Sequence, residues 1–94
     1  MLSNAPVHGL DLLVRMAAAA ADRAAARLCG AIRLTDCQSL DLAEDLDAAD
    51  LAIESWTVRA GDGRAVIAVF ATTPQADGGR RIAASGRFTF AALT

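Results

Sequence analysis

The chain of 94 residues is predicted to form one domain over residues 1–94, because its length matches a single small domain. Its hydrophobic content of 54% exceeds what so small a core can bury, which predicts self-assembly into a homodimer or a higher even oligomer. A net charge of −2, scattered arginines and scarce aromatic side chains argue against a nucleic-acid partner.

The first predicted element is a long helix from Gly9 to Leu28. Apolar residues recur at helical spacing in this segment, and its many alanines favour a helix. Gly30 is well placed to end the helix in the left-handed conformation. The face expected to meet the core carries seven apolar residues: Leu10, Leu13, Val14, Ala17, Ala21, Ala24 and Leu28.

Four strands are predicted after the helix, at residues 31–42, 50–59, 64–72 and 82–93. The third is apolar almost throughout, which suits a strand that is covered on both faces. Gly61, Asp62 and Gly63 predict a tight hairpin turn between the second and third strands. The acidic residues 44–47 and the turn-rich residues 74–79 are expected as loops. One helix followed by an antiparallel meander is an α+β arrangement.

The cysteines and the N-terminal segment predict a cytoplasmic protein without a membrane partner. Cys29 and Cys37 fit no metal-ligand spacing, so two free, partly buried thiols in a reducing compartment are expected, and no metal site. The N-terminus lacks a basic region followed by an apolar core, so no signal peptide is predicted. Charged residues from Arg15 to Arg27 interrupt the alanine-rich stretch, which excludes a membrane-spanning helix.

The N-terminal segment resembles the start of the acyl-CoA thioester hydrolases of the hotdog superfamily. Asn4, His8, Gly9, Leu13 and Met16 lie at the spacing of that family. The resemblance extends over nearly the whole chain, through Leu40, Glu44, Ala49 and Asp50, residues 57–70 and residues 83–91. It implies the hotdog fold, in which one long helix packs on a curved antiparallel sheet. The first strand is expected to be short or missing, since only three residues precede the asparagine.

The resemblance also implies an acyl-CoA thioesterase-like protein that hydrolyses or binds acyl-CoA thioesters. The coenzyme A moiety is then part of the substrate, and no separate cofactor is expected. Three residues depart from the family pattern: Leu10 replaces its second glycine, Glu44 replaces its proline, and Ala17 replaces its catalytic carboxylate. The alternative is a non-catalytic hotdog binding or structural module that has lost hydrolysis. Ala17 favours this alternative, whereas Asn4 and the His8-Gly9 pair favour an enzyme.

Thioester hydrolysis requires a polarised carbonyl group and an activated water or nucleophile. Gly9, at the helix start, allows a substrate carbonyl to approach the free backbone N–H groups of the first turn. Asn4, His8 and Asp11 are the candidates that would orient a water. Each has an alternative structural role, which the residue types favour for Asp11 and His8: Asp11 would pair with Arg15 and with the helix dipole, and His8 would cap the helix or line a pocket wall. Asn4 would fix the loop through its side chain.

Arg80 and Arg81 are candidate ligands for the phosphates of coenzyme A, because guanidinium groups bind phosphate well. The alternative is a solvated hairpin end that has no ligand.

Overall fold

The computed structural model describes residues 9–43 and 51–93. Within these ranges it contains one helix and four strands: α1 (Leu10–Leu28), β1 (Ile32–Leu42), β2 (Ala52–Gly61), β3 (Arg64–Pro74) and β4 (Arg80–Ala92). The α+β class is confirmed, and the predicted ends of the helix and strands are correct to within two residues. The expected short first strand and the acidic loop at 44–47 lie outside the described residues.

The strands form one antiparallel sheet in the order β1-β4-β3-β2. The predicted meander is therefore correct for β2 to β4 but wrong for β1, which pairs with β4 through contacts such as Ile32 with Ala92 and Cys37 with Phe88. The physical reason is burial. β3 and β4 carry the most continuous apolar alternation and take the two central positions, whereas the more polar β1 and β2 are left at the edges.

The tight turn predicted between β2 and β3 is confirmed, and its loop contains two residues. Gly61 pairs with Arg64, so the loop consists of Asp62 and Gly63 alone. Both loop residues have positive φ, 55° and 73° respectively. Two-residue hairpins of this kind require left-handed backbone at both positions, which glycine adopts without strain and aspartate tolerates.

The helix buries a face that is rotated from the predicted one. Leu12, Met16, Ala20 and Ala24 are buried, at a constant spacing of four residues. Four residues of the predicted face are partly buried beside them: Leu13, Ala17, Ala21 and Leu28. The prediction was wrong for Leu10 and Val14, which are 49% and 60% exposed. In a helix this rich in alanine, apolar residues occur on every side, so the pattern does not define one stripe.

The core lies between α1 and the two central strands. β3 contributes Ile67 and Val69, and β4 contributes Phe88 and Phe90, all at most 4% exposed. Full burial of one such side chain stabilises the fold by about 1.5–3 kcal/mol. Gly86 lies in the same helix-facing layer, where an added Cβ would come within 3.2 Å of a methyl group of Leu40 and 3.4 Å of the Phe88 ring.

The end of the helix differs from the prediction. Cys29, rather than Gly30, adopts the left-handed conformation, with φ 57° and ψ 45°. The Cys29 N–H donates to the Ala25 carbonyl at 2.8 Å, which satisfies one of the last helix carbonyls. The two cysteines are free, as predicted, but Cys29 and Cys37 are both exposed rather than partly buried.

Candidate functional site

The helix begins at Gly9, whose backbone conformation is easily adopted only by a residue without a Cβ. Gly9 has φ 88° and ψ −16°, and as the N-cap residue it has no side chain that could cap the helix. The Gly9 carbonyl accepts the N–H of Leu13 at 2.9 Å, which is the first regular helix bond. The N–H groups of residues 10–12 precede that bond and therefore have no acceptor within the helix. Free N–H groups and the positive end of a helix dipole are groups that can stabilise an oxyanion.

Two described residues decide what acid–base chemistry this helix can supply. Asp11 is exposed in the first turn, close in sequence to Gly9. Ala17 lies about two turns further along and is partly buried against the core. A methyl group at position 17 neither holds a proton nor attacks a carbonyl, so the helix interior offers no carboxylate at the position where the resemblance expects one.

Asn4 and His8, the other predicted catalytic residues, lie outside the described residues. The structure therefore brings together two members of the predicted site, Gly9 and Asp11, at the helix start. The roles predicted for all four residues stay predictions.

The two arginines predicted to contact coenzyme A lie at the start of β4. Arg80 is opposite Pro74 and Arg81 is opposite Thr73. The Arg80 guanidinium donates through Nε to the Thr72 hydroxyl and through Nη2 to the Thr72 carbonyl, both at 2.9 Å. Because successive strand residues point to opposite faces, the two guanidinium groups leave the strand on different sides of the sheet. They are thus not arranged as a pair around one phosphate.

A surface that sequence reasoning did not single out lies on the side of the sheet opposite α1. We call it the outer face. Its residues follow from the strand register and include Trp56, Ala68, Phe70 and Arg87. Trp56 is 48% exposed and stacks on Phe70, with ring centroids 4.7 Å apart and an interplanar angle of 17°. The alternation of β2 and β4 was the sequence signal for this surface.

Two shallow concavities indent the outer face. One, of about 670 Å³, is lined by residues from all four strands, with Arg59, Arg64 and Arg87 among them. The other, of about 770 Å³, lies around Trp56 and Phe70. Neither is lined by Gly9, Asp11 or Ala17, so these two concavities are separate from the predicted catalytic residues.

The remaining reactive groups form no metal centre in the part of the chain that the structure describes, where no three His, Cys, Asp or Glu side chains gather around a common point. Partial desolvation, and secondarily the Asp36 carboxylate, raise the pKa of the Cys37 thiol. A raised pKa disfavours the reactive thiolate, which makes Cys37 a poor nucleophile.

Over the same described ranges, no helix is both long enough and apolar enough to cross a bilayer.

The architecture is that of known thioesterase structures. An aspartate-to-alanine mutant of a hexameric broad-specificity acyl-coenzyme A thioesterase matches with a TM-score of 0.82 at 18% identity, over 100% of this chain and 71% of that chain. A hexameric thioesterase from Yersinia pestis matches with a TM-score of 0.81 at 17% identity, over 100% and 78% of the two chains. A hexameric hotdog-fold thioesterase of Campylobacter jejuni matches with a TM-score of 0.72 at 19% identity, over 94% and 70%.

No protein-family model and no curated protein sequence matches the chain. The structural similarity and the helix-on-sheet topology nevertheless agree, and the chain has the hotdog fold that the sequence resemblance implied. Two of the matching structures are those of a hexameric acyl-coenzyme A thioesterase and of a hexameric thioesterase. Since a fold carries many functions, the activity of this particular chain has to be argued from its own residues.

Proposed function

We propose that this chain binds acyl-CoA thioesters and hydrolyses them weakly, as a hotdog protein without a carboxylate at helix position 17. The observation that carries the proposal is the helix start, where Gly9 opens α1 in the left-handed conformation and itself supplies no side-chain cap. This geometry leaves the first-turn N–H groups accessible to a thioester carbonyl oxygen. The fold supports the same reading, because its structural neighbours are acyl-CoA thioesterases.

The chemistry that remains is half of a thioesterase site. The backbone N–H groups after Gly9 polarise the carbonyl and stabilise the oxyanion as water attacks. A water still has to be oriented and deprotonated, and His8, Asn4 and Asp11 are the residues proposed for this role. Losing a positioned general base costs about 10²–10⁴-fold in rate, which is why weak turnover is expected.

A second candidate function is a binding or structural module that has lost hydrolysis. Ala17 favours it, because this residue is partly buried and packs against the core, so the helix carries a packing group at the expected catalytic position. For either function, the coenzyme A moiety is part of the bound ligand. We propose that one of the two arginines, Arg80 or Arg81, contacts its phosphates. In both, the chain is proposed to assemble with copies of itself, as the hexameric neighbours do.

The discriminating experiment restores the missing carboxylate. Hydrolysis of short-chain, long-chain and aromatic acyl-CoAs is measured for the wild type, for Ala17→Asp and for Ala18→Asp. Ala18 is the matched control, because it is the next residue of the same helix but is exposed. We expect weak wild-type turnover, a rise of up to about 10²-fold in Ala17→Asp, and no rise in Ala18→Asp.

Two results would count against the proposed enzyme. Wild-type turnover at ordinary enzyme rates would show that the chain holds a catalytic acid elsewhere. Binding of acyl-CoA by calorimetry without any gain in Ala17→Asp, while its circular dichroism matches the wild type, would establish the binding module instead.

A further inference from the structure

The outer face is a large surface of the sheet that no element within residues 9–43 and 51–93 covers. The molecule is a slab only 19 Å thick, which corresponds to one sheet and one helix. Three large apolar side chains are exposed on this side: Trp56 at 48%, Val58 at 43% and Ile82 at 59%. Trp56 lies midway along edge strand β2, and an exposed tryptophan is typical of an interface, where water is excluded from both partners.

We propose that a second copy of this chain packs on the outer face in a two-fold, sheet-to-sheet contact. The contact lies opposite α1, and so apart from the helix start on which the proposed activity depends. It specifies which surface serves the self-assembly proposed above, and its test reads the mass of the assembly rather than turnover.

The size of the face is sufficient for a stable contact. Four strands spaced about 4.8 Å apart, each about 33 Å long, present about 600 Å². Two copies together would bury about 1,200 Å², the lower end of the range of specific interfaces. The layer of side chains along β3, Val66, Ala68 and Phe70, is apolar from end to end, and the register places Trp56 beside Ala68.

The charges of the outer face are unevenly distributed along the strands. One cross-strand row contains Asp41, Ser85, Phe70 and Glu54, with both acids at the sheet edges. The opposite end of the face, near the β2–β3 hairpin, carries three arginines and one acid: Arg33, Arg59, Arg64 and Asp36. This basic end has a net positive charge and is about 13–20 Å from the acidic row along β3.

This arrangement is complementary to itself. We place the two-fold axis in the plane of the face, perpendicular to the strands. Rotation about it reverses the strand direction of the second copy relative to the first. The acidic row of each copy then meets the basic end of the other, and the apolar layers meet in the middle. Near the centre, Arg87 lies beside Gln38 and diagonal to Asp36, so both signs are present there as well. Arg80 lies beyond the acidic row and is hydrogen-bonded to Thr72 of its own chain.

A charge-reversal exchange tests the contact. Glu54→Arg and Arg64→Glu each place like charges against each other in the proposed pair, so each variant alone is expected to show half the wild-type mass by light scattering at micromolar concentration. When the two variants are mixed, position 54 of each faces an opposite charge at position 64 of the other, and the wild-type mass is expected to return. The double variant Glu54→Arg/Arg64→Glu should likewise regain the wild-type mass.

The control is Asp22→Arg, which reverses an exposed charge on α1 and should leave the mass unchanged. Circular dichroism confirms that each variant is folded, and Trp56→Ala provides a second, uncharged way to weaken the contact. A monomeric wild type, or a mass that neither reversal nor Trp56→Ala changes, would overturn the proposal. So would binding of pyrophosphate that Arg64→Glu abolishes while the mass stays at the wild-type value, because the face would then be an anion site.

Discussion

The two faces of the sheet are made by alternate residues of the same strands, yet they differ sharply in burial. On the face toward α1, Ile67 and Val69 are fully buried, and Phe88 is 1% exposed. On the outer face, Trp56 and Ile82 are about half exposed, although both are large and apolar. One helix covers one face only. The difference indicates that β3, which is apolar on both faces, is suited to burial on both sides, whereas the described residues cover it on one side.

The composition agrees with this comparison. The chain is 54% hydrophobic, whereas the buried core is formed mainly by one face of the sheet and one side of α1. Arg23 Nε donates to the Ser55 hydroxyl at 2.9 Å, which ties the helix to edge strand β2 on the covered side. Substitutions on one face at a time test whether the two faces differ in what they contribute to stability.

The largest effect is expected for Phe88→Ala. This change removes a fully buried ring from the helix-facing layer and should lower the free energy of unfolding by about 3–5 kcal/mol. The matched change on the opposite face is Arg87→Ala, expected to cost less than about 0.5 kcal/mol in the monomer. Urea unfolding at a protein concentration below assembly measures both, and equal costs would remove the distinction between the faces.

A smaller loss of stability is expected from a substitution in the β2–β3 hairpin. This hairpin fixes the register of the two strands, and so determines which of their residues point to each face. Gly63→Ala places a Cβ on left-handed backbone at φ 73° and should cost about 1–2 kcal/mol. An added Cβ meets nothing within 4 Å at Gly63 or at Gly61, so crowding does not contribute. Gly61→Ala, where φ is not positive, is therefore the control, and thermal unfolding should leave it close to the wild type. A similar loss in both variants would contradict a conformational cause.

The smallest effect concerns Cys37, on edge strand β1. Desolvation and the Asp36 carboxylate raise its pKa, so less thiolate is present at neutral pH than in an unperturbed cysteine. Removing the negative neighbour in Asp36→Asn favours the thiolate, and the pH profile of reaction with a disulfide reagent should move toward lower pH. The measurement uses a Cys29→Gly background, since glycine suits the left-handed helix end. An unchanged profile would show that Asp36 does not influence the thiol.

The sequence predicted the elements better than their arrangement. The bounds of α1, the two-residue turn at Asp62 and Gly63, and the alternation of Phe88 and Phe90 are all local properties, and the structure confirms them. The position of β1 beside β4 is a long-range pairing that competing strands decide, and local pattern does not contain it. The exposure of Leu10 was missed because a helix of alanines has no marked apolar stripe.

The candidate site was predicted from resemblance more than from pattern. Gly9 and Asp11 both lie at the helix start because they are two residues apart in the sequence. Arg80 and Arg81 are also neighbours, but a strand sends adjacent side chains to opposite faces, so adjacency did not make them a pair. The outer face had a sequence signal in its alternation, but that signal does not say what covers it.

Trp56 reports directly whether the outer face is covered, because it is the only tryptophan of the chain. Acrylamide quenching of its fluorescence is measured as the protein is diluted from micromolar to nanomolar concentration. We expect weak quenching in the assembled protein and strong quenching after dilution, with Arg64→Glu quenched strongly throughout. Strong quenching of the wild type at every concentration would show that the indole stays in water and would contradict a second copy on this face.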